Sequence, residues 1–256
     1  MKNWFKQMKT GKGLRLFAVT VGSLAVALAL AACENVASST SYALVRVIDA
    51  SSIAETDSQG GVNFWMEGVD IGYNVGYGTV STYATLKATT TAKAYVTEAT
   101  VTKPTAANAL VSADVTLLAS TQHSMYLTDN GSTPTSYTLT VLQDHTLSAP
   151  SGESCFRFLN ESPTTGAVDI YMVPSSATLA TTKQLTNVPL GTVVGYKCFS
   201  SQTVTMTIEP TGVTTTAAAY TKALSLTGGE VKTVVIIDNR LLTSPSMTAI
   251  VASDID

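Results

Sequence analysis

One pattern recurs along this chain, and it limits the fold more than any other feature. Leu44-Val-Arg-Val-Ile-Asp49 returns as Cys155-Phe-Arg-Phe-Leu-Asn160 at an offset of 111. Val62-Asn-Phe-Trp-Met66 returns as Val168-Asp-Ile-Tyr-Met172 at an offset of 106. Gly78-Thr-Val80 with Tyr83 returns as Gly191-Thr-Val193 with Tyr196 at 113, and Ser124-Met-Tyr-Leu-Thr-Asp-Asn130 returns as Thr233-Val-Val-Ile-Ile-Asp-Asn239 at 109. Order is kept and the offsets drift by a few residues, as loop insertions and deletions would cause. A period near one hundred is too long for a solenoid repeat, and each unit is long enough to bury a core of its own.

The residues inside each unit say what it folds into. Threonine occurs 39 times in residues 33–256, set among Val, Tyr and Ile in short alternating stretches broken by Gly, Pro, Asn and Ser. That is strand punctuation, and no helical period competes with it. Each unit holds roughly seven strands, which predicts an all-β chain of two tandem immunoglobulin-like or transthyretin-like β-sandwich domains. The expected boundaries are 42–147 and 153–256, joined by a linker at 148–152.

The amino terminus reads differently. Lys2, Lys6, Lys9, Lys12 and Arg15 form a positive block with no acidic residue, followed by the apolar run Leu16–Leu30. Fifteen residues are short for a membrane-spanning helix, which needs ~20, and suit the apolar region of a secretory signal. The run closes on Leu30-Ala31-Ala32-Cys33, which resembles the lipobox of bacterial lipoproteins. That resemblance implies cleavage of residues 1–32, a diacylglycerol thioether and an acylated amine on Cys33, and a polar tether over 33–41. Several acyl chains hold far more firmly than one. Residue two of the mature chain is Glu34 rather than the aspartate that favours inner-membrane retention in enteric bacteria, which leans toward the outer membrane. Cleavage removes five of the fifteen basic residues and none of the eighteen acidic ones, leaving a net charge of −8. With a sequence pI near 5.4, the chain has no electrostatic footprint for nucleic acid.

The openings Arg46-Val-Ile-Asp-Ala-Ser51 and Arg157-Phe-Leu-Asn-Glu-Ser-Pro163, then Ala167-Val-Asp-Ile-Tyr171 and Gly76-Tyr-Gly-Thr-Val80, resemble a bacterial family catalogued as domain of unknown function 4397. The join Leu147-Ser-Ala-Pro-Ser-Gly152 is similar to that family's linker. The resemblance implies an envelope protein, often lipid-anchored and often with the unit in tandem. It brings no activity and no site residues. The first unit departs from the family by inserting Glu55–Gly61.

Little in the chain suggests chemistry. Charged residues are 13%, with two histidines and three cysteines. No Gly-x-Ser-x-Gly elbow, His-Glu-x-x-His, Cys-x-x-Cys, phosphate loop or EF-hand spacing occurs, so no catalytic residue, cofactor or metal is expected. His123 aligns with Lys232 at a strand start, and His145 lies near the end of the first unit; both read as structural or solvent-exposed. Asp129-Asn130 and Asp238-Asn239 repeat, but they read as turn chemistry at strand ends. Asp254 and Asp256 read as a frayed terminus. In an exported compartment Cys155 and Cys198 could pair; two separate thiols are the alternative. Their counterparts are Leu44 and Thr85, so a bridge would be an addition to the second unit, stapling neighbouring strands near the surface.

Period-two parity turns Val62, Phe64 and Met66 inward with Val168, Ile170 and Met172. It turns Asn63, Trp65, Asp169 and Tyr171 outward, together with Arg46 and Arg157. If these strands pair, each unit presents an arginine beside a large aromatic, with an Asp169–Arg157 pair in the second. Such a face suits a glycan or a protein partner. The alternative, favoured because apolar surface is ordinary in folded proteins, is that loops or the sister domain cover the aromatics while the charged pair fixes strand register. The function expected is therefore a non-enzymatic, lipid-anchored envelope module for binding, adhesion or structure. A carbohydrate-active hydrolase with a carboxylate pair and an accessory subunit of an envelope complex remain open.

Overall fold

The computed structural model describes residues 41–52, 54, 60–129, 137–144, 148–179, 183–213, 220–241 and 246–255. The signal segment, Cys33, the tether up to residue 40, insert residues 55–59, Asn130, Gly131, His145 and Asp256 lie outside them. Residues 41–256 form one compact unit.

Sixteen strands carry it. The first eight are β1 (Tyr42–Asp49), β2 (Val62–Met66), β3 (Val69–Val75), β4 (Ala84–Lys87), β5 (Thr89–Glu98), β6 (Ala109–Leu117), β7 (Gln122–Asp129) and β8 (Tyr137–Gln143). The second eight are β9 (Glu153–Glu161), β10 (Val168–Pro174), β11 (Lys183–Val188), β12 (Thr192–Ser200), β13 (Thr203–Pro210), β14 (Tyr220–Ser225), β15 (Val231–Asp238) and β16 (Met247–Ser253). Each half has one strand more than the sequence suggests. The four-residue β4 is too short for its alternation to register.

Four sheets result, with orders β4-β1-β7-β8, β3-β2-β5-β6, β12-β9-β15-β16 and β11-β10-β13-β14. Adding eight to every strand of the first pair yields the second pair. Pairing type repeats too: β1 runs parallel to β7, and β9 runs parallel to β15.

Parity decides the cores. Val45, Val47, Val62, Phe64 and Met66 sit in the first core with Val96 and Leu127. Phe156, Phe158, Val168, Ile170 and Met172 sit in the second with Ile208 and Ile236. A third cluster belongs to neither sandwich: Ile48, Ala50 and Tyr126 of the first half pack with Leu159, Val235 and Ile237 of the second. The β4-β1-β7-β8 and β12-β9-β15-β16 sheets therefore meet through the faces that parity turns away from their own cores. The expected linker is part of the packing, since Ala149 is buried and its N–H donates to the Gly229 carbonyl.

The repeated Gly-Thr-Val has a backbone cause. Gly78 and Gly191 adopt φ of +77° and +73°, where an L side chain is disfavoured. The Gly78 N–H donates to the Asp49 carbonyl at 2.8 Å and the Gly191 N–H to the Asn160 carbonyl at 2.7 Å, closing the ends of β1 and β9.

Candidate functional site

The polar and aromatic face, for which the sequence offers either a ligand or cover by loops or the sister domain, is buried throughout. Arg46, Arg157, Asn63, Asp169, Trp65 and Tyr171 are each at most 7% exposed. Parity places them correctly on the faces away from their own cores, but two kinds of cover remove them from solvent. β1 and β2 also lie in different sheets, so no Arg46–Trp65 pair forms within one sheet.

On the β2 and β10 sheets the cover is loop. Asn63 Nδ2 donates to the carbonyls of Ala99 and Val101, drawing the segment after β5 back over that face. Trp65 Nε1 donates to Thr97 Oγ1 at 3.0 Å. Asn63 Oδ1 accepts from the backbone N–H of Asn74, and Asp169 Oδ1 accepts from that of Asn187. Asn74 and Asn187 both have φ of +51° in irregular edge pairings opposite Asn63 and Asp169. Asparagine tolerates that region better than most residues. The polar position on β2 and β10 thus holds an edge-strand bulge. Asp169 also accepts from Thr211, not from Arg157 as the sequence suggests; the two sit on different sheets.

On the β1 and β9 sheets the cover is the sister sandwich. Arg46 Nη2 donates to Asp254 Oδ1 and Arg46 Nη1 to the Ser253 carbonyl, both in the second half. Arg157 Nη2 donates to Asp144 Oδ1, and Arg157 Nη1 reaches the Gln143 carbonyl at 3.1 Å, both in the first half. Within its own sheet Arg46 Nε donates to Ser124 Oγ at 2.7 Å, as Arg157 Nε does to Thr233 Oγ1 at 3.1 Å. Tyr83 OH donates to Asp144 and Tyr196 OH to Asp254, each at 2.8 Å. The guanidiniums lie over those same rings, 5.0 Å from Tyr83 and 5.1 Å from Tyr196. Each of these contacts on one side has a counterpart on the other, so the interface has an approximate two-fold relation.

Burial by itself would lower both guanidinium pKa values. The surrounding tyrosines and aspartates outweigh it, and Arg46 and Arg157 are held above the ordinary arginine value, fully charged. Replacing a buried ion pair by apolar side chains is often neutral, whereas burying Ile48, Leu159, Val235 and Ile237 stabilises by roughly 1.5–3 kcal/mol each. The apolar cluster supplies the adhesion; the arginines and aspartates set register.

Asp254 is not a frayed end: it is completely buried. Directly after β16 it accepts from Arg46 and Thr233. Sequence reasoning passed over Asp144 altogether. The signal was present, because Asp144 and Asp254 stand at an offset of 110, within the range of the other repeats.

Asp129 Oδ2 accepts from Ser52 N, and Asp238 accepts from Ser162 Oγ and Thr164 Oγ1, so each anchors the loop that follows β1 or β9. His123 is buried beside Thr121, and burial lowers its pKa. Cys155 and Cys198 form a disulfide at facing positions of the neighbouring strands β9 and β12, with Cys155 buried and Cys198 exposed, so the bridge reaches the surface. Leu44 and Thr85 face each other at the corresponding positions of β1 and β4. Among the described residues no group of three or more His, Cys, Asp or Glu gathers in the manner of a metal centre.

Two small clefts open at the edges of the interface. One is lined by Asp238, Tyr77, Gly78 and Arg240, whose guanidinium lies 5.7 Å from the Tyr77 ring. Its counterpart, of about 190 Å³, is lined by Thr128, Asp129, Thr138, Thr140, Glu161 and the Leu190–Gly191 turn. Burial, with Asp129 nearby, raises the Glu161 carboxyl to about 7.

No curated protein matches the chain. The sequence profile of a family described as a domain of unknown function, DUF4397, matches residues 43–171, which is the whole first sandwich and the first strands of the second. The chain belongs to the DUF4397 family.

Proposed function

We propose that the chain is a non-enzymatic module of the bacterial cell envelope, held there by lipid on Cys33 and serving as a rigid body for binding, adhesion or structure. The observation that carries this reading is the disposition of the repeated polar residues. Arg46, Asn63, Arg157 and Asp169 are all engaged within the chain, in the domain interface or at edge-strand bulges. The most strongly repeated chemistry of the chain builds a two-sandwich body. The second half is proposed as a second copy of the family domain, supported by its strand order and by equivalent facing pairs such as Leu44–Thr85 and Cys155–Cys198. The Leu30-Ala31-Ala32-Cys33 sequence after an apolar run supports the anchor, and Glu34 supports the outer membrane.

Labelled palmitate should enter the wild-type chain and not Cys33→Ser, and the wild-type protein should fractionate with outer membrane. Failure of both would remove the anchor from the proposal. Cross-linking in intact cells, followed by identification of attached protein and glycan, tests the binding role.

One observation favours a hydrolase: Asp129 and Glu161 share a cleft, and Glu161 has the raised pKa of a general acid. Against it, Asp129 Oδ2 is held by Ser52. The cleft, at about 190 Å³, is also smaller than ligand pockets, which run ~300–1,000 Å³. Release of reducing sugar from envelope glycans by wild type and not by Glu161→Gln would reverse the preference.

A further inference from the structure

The two interface clefts occupy equivalent places but carry opposite chemistry. In the cleft around Asp238 the chain supplies its own cation, Arg240, two residues beyond the carboxylate. At the corresponding position after Asp129 stands Gly131, and residues 130–136 (NGSTPTS) contain no Lys, Arg or His. The other difference has the same sense. Ala50, the residue after β1, corresponds by position to Glu161 at the end of β9, so the cleft that lacks the arginine gains a second carboxyl.

Glu161 is only 8% exposed, and its carboxyl accepts no hydrogen bond among the described residues. A buried carboxyl without hydrogen-bond donors is costly in either protonation state and far more so when ionised. It shares with Asp129 a cleft lined also by the hydroxyl-bearing Thr128, Thr138 and Thr140, with Leu190 and Gly191 on the remaining side. The polar side chains of the lining, two carboxyls and three hydroxyls, are oxygen donors without nitrogen or sulfur, which favours hard divalent cations over zinc or copper. The volume is enough for an ion with several of its waters.

We propose that the cleft between Asp129 and Glu161 binds a hard divalent cation of the calcium class, which takes the place that Arg240 fills in the twin cleft. The inference is independent of the lipid anchor and of any binding partner. A bound ion would neutralise the two facing carboxyls and tie the end of β7 in one sandwich to the end of β9 in the other. Binding would release a proton near neutral pH. Among the described residues Glu161 faces one other titratable group, Asp129 of β7, while the threonines of β7 and β8 and the Leu190–Gly191 turn do not titrate.

Calorimetric titration of CaCl2 into EDTA-treated full chain in detergent tests this. One ion per chain is expected, with Kd on the order of 10⁻⁴ M as in extracellular modules. Glu161→Gln should weaken binding at least tenfold, Glu161→Asp less, and Arg240→Ala not at all. Repeating the titration at pH 6.5 in two buffers of different ionisation enthalpy should reveal the released proton. The proposal is overturned by absence of binding up to about 10 mM, well above the range of extracellular calcium modules. It is equally overturned by Glu161→Gln and Glu161→Asp that both bind like wild type, or by loss of binding in Arg240→Ala. Should Glu161→Gln fail to fold, the Glu161→Asp affinity and the proton count in wild type decide.

Discussion

Arg46 and Arg157 occupy equivalent positions on β1 and β9, and each directs its charge at an aspartate of the other sandwich, Asp254 and Asp144. A repeated arginine on a face turned away from its own core thus joins the repeats to each other. Because the relation is reciprocal, removing one arginine breaks one half of the interface and leaves its aspartate without a counter-charge, held only by neutral hydroxyl donors, at a site almost closed to water.

Arg46→Met should therefore destabilise the chain by about 3–5 kcal/mol, the usual cost of orphaning a buried partner. Arg46→Met with Asp254→Leu should recover part of the loss, because no charge is then left unpaired. Urea denaturation followed by intrinsic fluorescence reads both. A single variant within about 0.5 kcal/mol of wild type, the span of ordinary surface substitutions, would mean that the interface opens readily in solution.

Glu161 should make stability fall as pH rises toward neutrality. Its carboxyl is held at about 7 in the folded chain, against an ordinary 4.5. Between those values the folded state keeps a proton that the unfolded state has lost. The stabilisation is complete below about pH 4.5 and disappears as pH climbs through 7, with an upper bound of roughly 3 kcal/mol. Wild type minus Glu161→Gln, measured in EDTA from about pH 5 to pH 8, isolates this contribution from that of the lowered His123, which acts in the opposite direction. Parallel curves for the two proteins would contradict it.

Reducing the Cys155–Cys198 bridge, or replacing both residues by serine, should cost about 2–4 kcal/mol. The bridge closes a separation of 43 residues inside the second sandwich. Hydrogen exchange should quicken in β9 and β12 and leave β1 and β4 nearly as before, since Leu44 and Thr85 hold that pairing without a covalent link.

Trp65→Ala and Tyr171→Ala should each lower stability by about 3–5 kcal/mol, as truncations of large buried rings do. An exposed binding aromatic would show the opposite, a loss under about 0.5 kcal/mol, as surface positions give. Thermal melts separate the two outcomes without any ligand.

Much of the architecture is legible because local rules suffice for it. Alternation separates Phe64 from Trp65 and Phe158 from Arg157 on the correct faces, since neighbouring side chains of an extended chain must point oppositely. The repeats mark Leu44 and Thr85 as counterparts of Cys155 and Cys198, but that each pair faces across two strands is decided by the fold. Asp144 escaped notice because only that single residue matches its partner Asp254, with dissimilar neighbours on both sides. Glu161 escaped because its distinction lies in differing from Ala50, and repeats are found by likeness.

Read without its fold, the chain determines its strands and its inward side chains, which depend on residues close together in sequence. Only the tertiary structure decided what lies over the outward side chains. Arg46 looks the same on paper whether it meets water, a sugar or Asp254, for the two are 208 residues apart and no local periodicity connects them. Packing of sheet on sheet, driven by apolar burial around Tyr126, Leu159 and Ile237, made that choice.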